Sequence, residues 1–109
     1  MKKVNRVRKN EEFQVLIRQG KKKTSASFVM YYMPKKEEQT RIGISLSKKI
    51  GNAVVRNKIK RQVRMMCQDL ISFEDYPYDL ILIVRHAYKN NKYADNKKIL
   101  ENVLYKAKM

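Results

Sequence analysis

Apolar residues recur at helical spacing in three segments of the chain. In the first segment, residues 11–19, one apolar face predicts a short helix with Asn10 as its N-cap and Gly20 just beyond its end. The second segment, residues 53–71, has a narrow apolar stripe and predicts a long helix, and a final helix begins at Tyr93. The apolar positions of the three helices are Phe13, Leu16, Ile17, Val55, Ile59, Val63, Met66, Leu70, Ile99, Leu100, Val103 and Leu104.

Three other segments have the apolar pattern of β-strands. Residues 28–33 are apolar on both faces, so we expect one face to be buried and the other to line a groove. Residues 40–47 alternate apolar residues with small or polar ones and predict a half-buried strand. Residues 80–84 are entirely apolar, which is typical of a central strand covered on both faces. Residues 21–23 and 85–91 are polar and predict loops.

The order of these elements predicts an α+β two-layer sandwich in which helices pack on one small central sheet. The expected order is α-β-β-(β)-α-β-α, where the bracketed element is a further short strand near the N-terminal arm. A chain of 109 residues with 43% hydrophobic residues is expected to form a single domain over residues 1–109. Residues 1–9 hold five cations and predict a basic arm.

Several classes of protein are excluded by what the chain lacks. The longest apolar run, Leu80 to Val84, is far shorter than the roughly 20 residues of a membrane-spanning helix, so we expect no membrane partner. No apolar stretch follows Met1 to form a signal peptide. The single cysteine, Cys67, excludes an internal disulfide and leaves no zinc-binding spacing. The cytoplasm is therefore the expected location.

The charge of the chain points to a polyanionic partner. Lysine and arginine number 26 against 10 acidic residues, which gives a formal net charge of +16. No acidic residue occurs between Arg41 and Gln68, although a solvated surface usually mixes both signs. This stretch is therefore interpreted as a binding surface, and its cations are Arg41, Lys48, Lys49, Arg56, Lys58, Lys60, Arg61 and Arg64.

The long helix is predicted to carry the centre of that surface. At 100° per residue, a continuous arc beside the apolar stripe holds four cations and one amide, whereas Lys58 lies off the arc. The residues of the arc are Arg56, Asn57, Lys60, Arg61 and Arg64. Just upstream, Ser45 and Ser47 share one strand face, and backbone N–H groups at Gly51 and Asn52 are candidates for phosphate binding.

We find no catalytic constellation in the sequence. His86 is the only histidine, and the aspartates are too scattered to predict a metal pair. The chain has no glycine-rich phosphate loop and no nucleophile elbow. Any catalysis in which this chain takes part must therefore be carried out by another molecule.

The basic segment resembles the signature of a known family, the protein subunit of bacterial ribonuclease P. Residues 41–64 read RIGISLSKKIGNAVVRNKIKRQVR, and the pattern SxSKKxGNAVxRNxxKRxxR within them is long and specific. Residues 8–13, 28–31 and 78–85 also resemble the family's first helix, first strand and last strand.

The resemblance implies a fold with a left-handed βαβ crossover and a large catalytic RNA as partner. That RNA removes the 5′ leader of precursor tRNA with magnesium, which is held mainly by the RNA, and no obligate protein partner is implied. The protein would lower the magnesium requirement and favour precursor over product. The long helix would face the catalytic RNA, and a cleft formed by Phe13, Ile17, Phe28 and Tyr31 would hold the leader.

Two departures from the family pattern are visible. Ile17 stands where some relatives have an aromatic residue, so stacking is lost there while apolar contact remains. Lys58 replaces an arginine, which keeps the charge and loses the planar fork. Two alternatives stay open at this point: a ribosomal or other structural RNA-binding protein, and a DNA-binding module whose long helix enters the major groove.

Overall fold

Three helices and four strands occupy the described part of the chain, residues 5–7 and 9–109 of a computed structural model. The helices are α1 (Asn10–Gln19), α2 (Ala53–Leu70) and α3 (Tyr93–Ala107). The strands are β1 (Lys21–Thr24), β2 (Phe28–Pro34), β3 (Ile42–Ser45) and β4 (Tyr78–Val84). Single 3₁₀ turns precede α2 and α3, at Lys48–Ile50 and His86–Asn90. The predicted α+β class is confirmed.

The four strands form one sheet in the order β1-β2-β4-β3. β1, β2 and β4 are antiparallel neighbours, whereas β3 runs parallel to β4 and is joined to it through α2. β4 is central, and Leu80, Ile81 and Leu82 have no solvent exposure, as their continuous apolar run predicts. The hand of the β3–α2–β4 crossover stays a prediction.

Helices lie on both faces of the sheet. On one face, α2 and α3 pack on a large core that includes Phe28, Met30 and Leu82. On the other face, Leu16 of α1 packs with Ile81 in a smaller cluster. The two clusters follow the alternation of β2, whose residues are in turn fully and partly buried. The sheet therefore has one closed face and one face that α1 covers only in part.

α2 closely follows the sequence prediction. The side chain of Asn52 accepts a hydrogen bond from the Val55 N–H at 3.0 Å and caps the helix. The predicted apolar stripe is buried at Ile59, Val63 and Met66. The helix ends at Leu70, one residue before the predicted end.

Several local predictions are wrong. Residues 21–23 form strand β1 rather than a loop, because main-chain bonds to β2 hold them although every side chain is exposed. This is the additional strand, and it precedes the other strands instead of following them. Asn10 lies inside α1, and Lys9 takes the N-cap position without a side-chain cap. The predicted loop 85–91 contains the second 3₁₀ turn.

The described part of the N-terminal arm packs against the edge of the sheet. Asn5 is buried and its side-chain amide donates to Gln39 Oε1 at 2.7 Å, and Arg6 forms a parallel bridge with Ile42. The arm cations Lys2, Lys3 and Arg8 lie outside the described residues. None of the helices in the described residues is both long and apolar enough to cross a membrane.

Candidate nucleic-acid interface

The cations predicted on α2 lie on its surface and remain available to a partner. Asn57, Lys58 and Arg61 are exposed, and the other predicted cations of the helix are half-buried. Among the described residues, no ion pair involves any of the five cations of this helix, which are Arg56, Lys58, Lys60, Arg61 and Arg64. Their charges are therefore not neutralised by the part of the chain that the structure describes, so an anionic partner can bind them.

The segment that leads into α2 is held in place at several points. Ser47 Oγ accepts a hydrogen bond from the Lys49 N–H at 3.1 Å, and Ile50 is buried. A Cβ atom at Gly51 would lie 2.9 Å from Val55 Cβ, so only glycine allows this approach to the helix. The Lys89 ammonium donates to the Ile50 carbonyl at 2.6 Å. The predicted residues Lys48 and Lys49 are exposed on this fixed segment.

The sheet face that α1 covers only in part carries half-buried apolar residues of α1, β2 and β4. The ring of Phe13 lies on Gly43 of β3, and Ile17 is 39% exposed on α1. Tyr31 is half-buried on the same sheet face. Ser45 also lies on this face, directly beside Ile83 of β4. Phe13 and Tyr31, two of the four predicted cleft residues, therefore pack in one cluster on this face.

Phe28 is the fourth, and its assignment to the cleft is wrong. It has no solvent exposure, and its ring packs edge-to-face against Tyr88 at 5.7 Å in the closed core. Residues three apart in a strand point to opposite faces, so Phe28 and Tyr31 cannot line one groove. Val29 and Ile83 lie on the open face and are half-exposed, although the sequence prediction does not include them in the cleft. Because Val29 follows Phe28 and Ile83 precedes Val84 along their strands, the alternation of strand residues places both on the open face.

Arg41 is also misassigned, because its charge is used inside the fold. Its guanidinium pairs with Glu12 of α1 and with Asp79 Oδ2 of β4, the latter at 3.2 Å. Burial lowers the pKa of Arg41, but the hydrogen bond and charge of Asp79 and the pairing with Glu12 outweigh it, so the net pKa is raised. Arg41 therefore connects α1 to the sheet and does not belong to the exposed basic surface.

The remaining titratable groups form no metal site in the part of the chain described. No group of three or more His, Cys, Asp or Glu side chains in residues 5–7 and 9–109 is placed to hold an ion. Cys67 is fully buried, and burial raises the pKa of its thiol to about 12.

A basic helix whose cations have no ion-pair partner among the described residues, beside a half-exposed apolar sheet face, indicates a nucleic-acid-binding protein of α+β fold. The chain belongs to the ribonuclease P protein family: the model of the family described as Ribonuclease P matches residues 1–108. Members of this family are the protein component of a tRNA-processing endonuclease, in which they act with the RNA subunit and bind precursor tRNA. This assignment decides against the ribosomal and DNA-binding alternatives.

Known relatives and solved structures agree with the family. The chain is 43% identical over 110 residues to a Bacillus cereus protein named "Ribonuclease P protein component", covering 100% of this chain and 96% of the relative. A Staphylococcus aureus RNase P protein, a mutant with defective mRNA degradation activity, matches with a TM-score of 0.87 and 38% identity over 97% of this chain and 90% of that one. The Thermotoga maritima RNase P protein matches with a TM-score of 0.78 and 25% identity, covering 91% and 94%.

Proposed function

We propose that this chain uses two adjacent surfaces within the ribonuclease P holoenzyme. The first, the RNA-subunit surface, comprises the exposed polar face of α2 and the segment before it. Its residues are Ser45, Ser47, Lys48, Lys49, Arg56, Asn57, Lys58, Lys60, Arg61 and Arg64. The observation that carries the proposal is that the five cations of α2 have no internal ion-pair partner among the described residues.

The second surface, the leader groove, binds the single-stranded 5′ leader of precursor tRNA. It is lined by Phe13 and Ile17 of α1, Val29 and Tyr31 of β2, and Ile83 of β4. Aromatic rings in such a groove stack on bases of any sequence, and stacking contributes roughly 1–3 kcal/mol per base. A half-exposed tyrosine beside apolar neighbours supports this role, because it offers a ring to bases without a requirement for sequence.

The two surfaces together account for preference between substrate and product. The leader exists only on the precursor, so contacts in the groove add affinity for precursor and none for mature tRNA. The cations of α2 reduce repulsion between the RNA subunit and the substrate, which lowers the magnesium concentration that the complex needs. Residues of this chain thus bind and orient RNA, and we propose that magnesium is held by the RNA subunit.

The wider setting follows from the same proposal. The chain functions as a single domain over residues 1–109, in the cytoplasm, where precursor tRNA is processed. Its partners are the catalytic RNA and precursor tRNA, and neither a membrane nor another protein is required. The surplus of +16 charges supports this choice of partners, since polyanions relieve the self-repulsion of the fold.

The decisive experiment is cleavage of a precursor tRNA at low magnesium by a bacterial ribonuclease P RNA with and without this protein. We expect cleavage at the mature 5′ end only when both are present. Activity of the protein alone would contradict the assignment of the chemistry to the RNA. Tight RNA binding without any change in the cleavage rate would contradict the proposed role in processing.

A further inference from the structure

The edge strand β1 carries three consecutive lysines whose side chains are all exposed. Its antiparallel register with β2 pairs Lys21 with Tyr32, Lys22 with Tyr31, and Lys23 with Met30. Directly opposite residues in an antiparallel pair lie on the same face of the sheet. Lys22 therefore lies on the groove face beside Tyr31, whereas its two neighbours lie at the edge of the closed face.

The strand registers define two rows of residues that cross the groove face. One row runs from Gly43 through Ile81 and Tyr31 to Lys22. The other runs from Ser45 through Ile83 and Val29 to Thr24. Both rows therefore begin at β3, beside the segment that leads into α2, and end at β1.

Cover by α1 decreases along the first row. The Phe13 ring lies on Gly43, which is buried, and Ile81 has no exposure. Tyr31 is half-buried and Lys22 is exposed. The groove thus opens towards β1, and an RNA strand that follows it leaves the protein at that edge.

Lys22 supplies positive charge where the groove ends. No ion pair of Lys22 occurs among the described residues, so its ammonium is available to a phosphate. An aromatic ring followed by a cation is the arrangement with which proteins bind single-stranded RNA, since bases stack on the ring while the cation binds the backbone. The two lysines at the opposite face of the same strand, Lys21 and Lys23, pair with Tyr32 and Met30 of the closed face and have no such neighbour on the groove face.

We propose that Lys22 binds a phosphate of the precursor leader at the β1 edge, so that the leader crosses the sheet from β3 to β1. This inference rests on the proposed leader groove and extends it by a strand and a charged contact. Four strands spaced about 4.8 Å apart give a crossing of about 14 Å, which is longer than one nucleotide can span. Lys22 therefore contacts only leaders of several nucleotides.

The test compares Lys22→Glu with Lys21→Glu and Lys23→Glu in the reconstituted holoenzyme. The three variants change the net charge equally and differ only in the face that they alter. For a precursor with a long leader, we expect Lys22→Glu to weaken binding about fivefold more than either control. The number of ions released on binding, measured from the slope of log affinity against log salt concentration, should fall by about one. Mature tRNA and a precursor with a one-nucleotide leader should bind all three variants equally, and Lys22→Arg should restore affinity.

Equal losses for the three variants with the long leader would overturn the proposal, and so would an excess loss for Lys22→Glu with the one-nucleotide leader. Tyr31→Ala, measured in parallel, separates this failure from failure of the groove itself. If Tyr31→Ala weakens only the precursor while Lys22→Glu matches its controls, the leader groove stands and the β1 contact is wrong. If Tyr31→Ala affects precursor and mature tRNA equally, the groove assignment is wrong.

Discussion

Phe13 and Gly43 are in direct contact, the ring of the one lying against the backbone of the other. A Cβ atom at residue 43 would come within 2.5 Å of Phe13 Cζ. The absence of a side chain at this point of β3 is therefore what lets α1 lie so close to the sheet. This contact fixes one wall of the proposed leader groove.

Gly43→Ala should consequently displace Phe13 and raise α1 from the sheet. Overpacking of this kind costs about 1–3 kcal/mol of folding free energy. We also expect precursor tRNA to lose affinity while mature tRNA does not, because the groove changes shape. The measurements are denaturant unfolding and binding of both RNAs. The double variant Gly43→Ala with Phe13→Leu should regain stability, and no regain would show that the ring is not the obstacle.

Charge reversal on α2 should weaken binding to the RNA subunit. Arg61→Glu combined with Arg64→Glu removes two unpaired cations, so affinity should fall and the salt dependence should decrease by about two ions or more. A matched control is Lys98→Glu with Lys106→Glu on α3, which changes net charge by the same amount at exposed positions. A similar loss for both pairs would show that net charge, and not the α2 surface, determines binding.

Tyr31 and Phe28 should respond differently to truncation although they are near neighbours on β2. Tyr31→Ala should lower affinity for precursor tRNA and leave stability little changed, because the ring is half-exposed in the groove. Phe28→Ala should cost about 3–5 kcal/mol of stability, because its ring is fully buried. Thermal unfolding and binding assays on both variants test this. A leader-specific effect of Phe28→Ala in a fully folded variant would contradict the structure.

The ion triad of Arg41 should matter for stability and for the position of α1. Asp79→Asn removes the buried carboxylate charge and leaves the half-buried guanidinium with Glu12 as its remaining ion-pair partner, so we expect a loss of about 1–3 kcal/mol of stability. Arg41→Met removes the charge and keeps much of the volume, but it leaves Asp79 unpaired, so it should also destabilise. Affinity for the isolated RNA subunit should stay unchanged in folded Arg41→Met, and a large loss would restore Arg41 to the RNA-binding set.

Stability should fall in alkaline solution because burial raises the pKa of three acids, Cys67, Tyr76 and Tyr88. Burial raises the pKa of Cys67 from 9.0 to about 12, and burial together with the charge of Tyr93 raises that of Tyr88 from 10.0 to about 12. The unfolded chain ionises first, so the full contribution is present below about pH 9 and is lost as the pH rises towards 12. Each group adds a slope of at most about 1.4 kcal/mol per pH unit.

Unfolding by denaturant between pH 8 and pH 11 measures this slope. Cys67→Ala should show a shallower decline than the unmodified protein, because the variant has no thiol that ionises on unfolding. All other ionisable groups are common to the two proteins, so the difference in slope reports on Cys67. The same burial predicts that the Cys67 thiol resists alkylation until the protein unfolds. Rapid labelling of the folded protein at pH 8 would contradict the buried position.

Much of the fold could be predicted because its signals are local. The apolar stripe of α2, the continuous run of β4 and the alternation of β2 each report on neighbours in sequence, and each element is present in the structure. β1 could not be recognised, since its lysines show no pattern and only main-chain bonds to β2 make it a strand. Edge strands with charged side chains lack the apolar alternation by which other strands are recognised in a sequence.

The candidate site shows the same division between local and distant information. The cations of α2 follow from helical geometry within one segment. The true role of Arg41 depends on Glu12 and Asp79, which are 29 and 38 residues away along the chain. The alternation of β2 places Phe28 and Tyr31 on opposite faces of the sheet. The assignment of Phe28 to the cleft is therefore wrong, because the face on which a strand residue lies determines its role more strongly than its aromatic side chain does.

The bond between Lys89 and the Ile50 carbonyl has a consequence for how the protein meets its RNA. It joins the turn after β4 to the segment before α2, and Gly51 packs that segment against Val55. The turn after β4 and the start of the basic helix therefore keep a fixed relation before any RNA binds. A preorganised surface loses little conformational entropy on association, so only a small part of the free energy gained from its contacts is spent on ordering the protein.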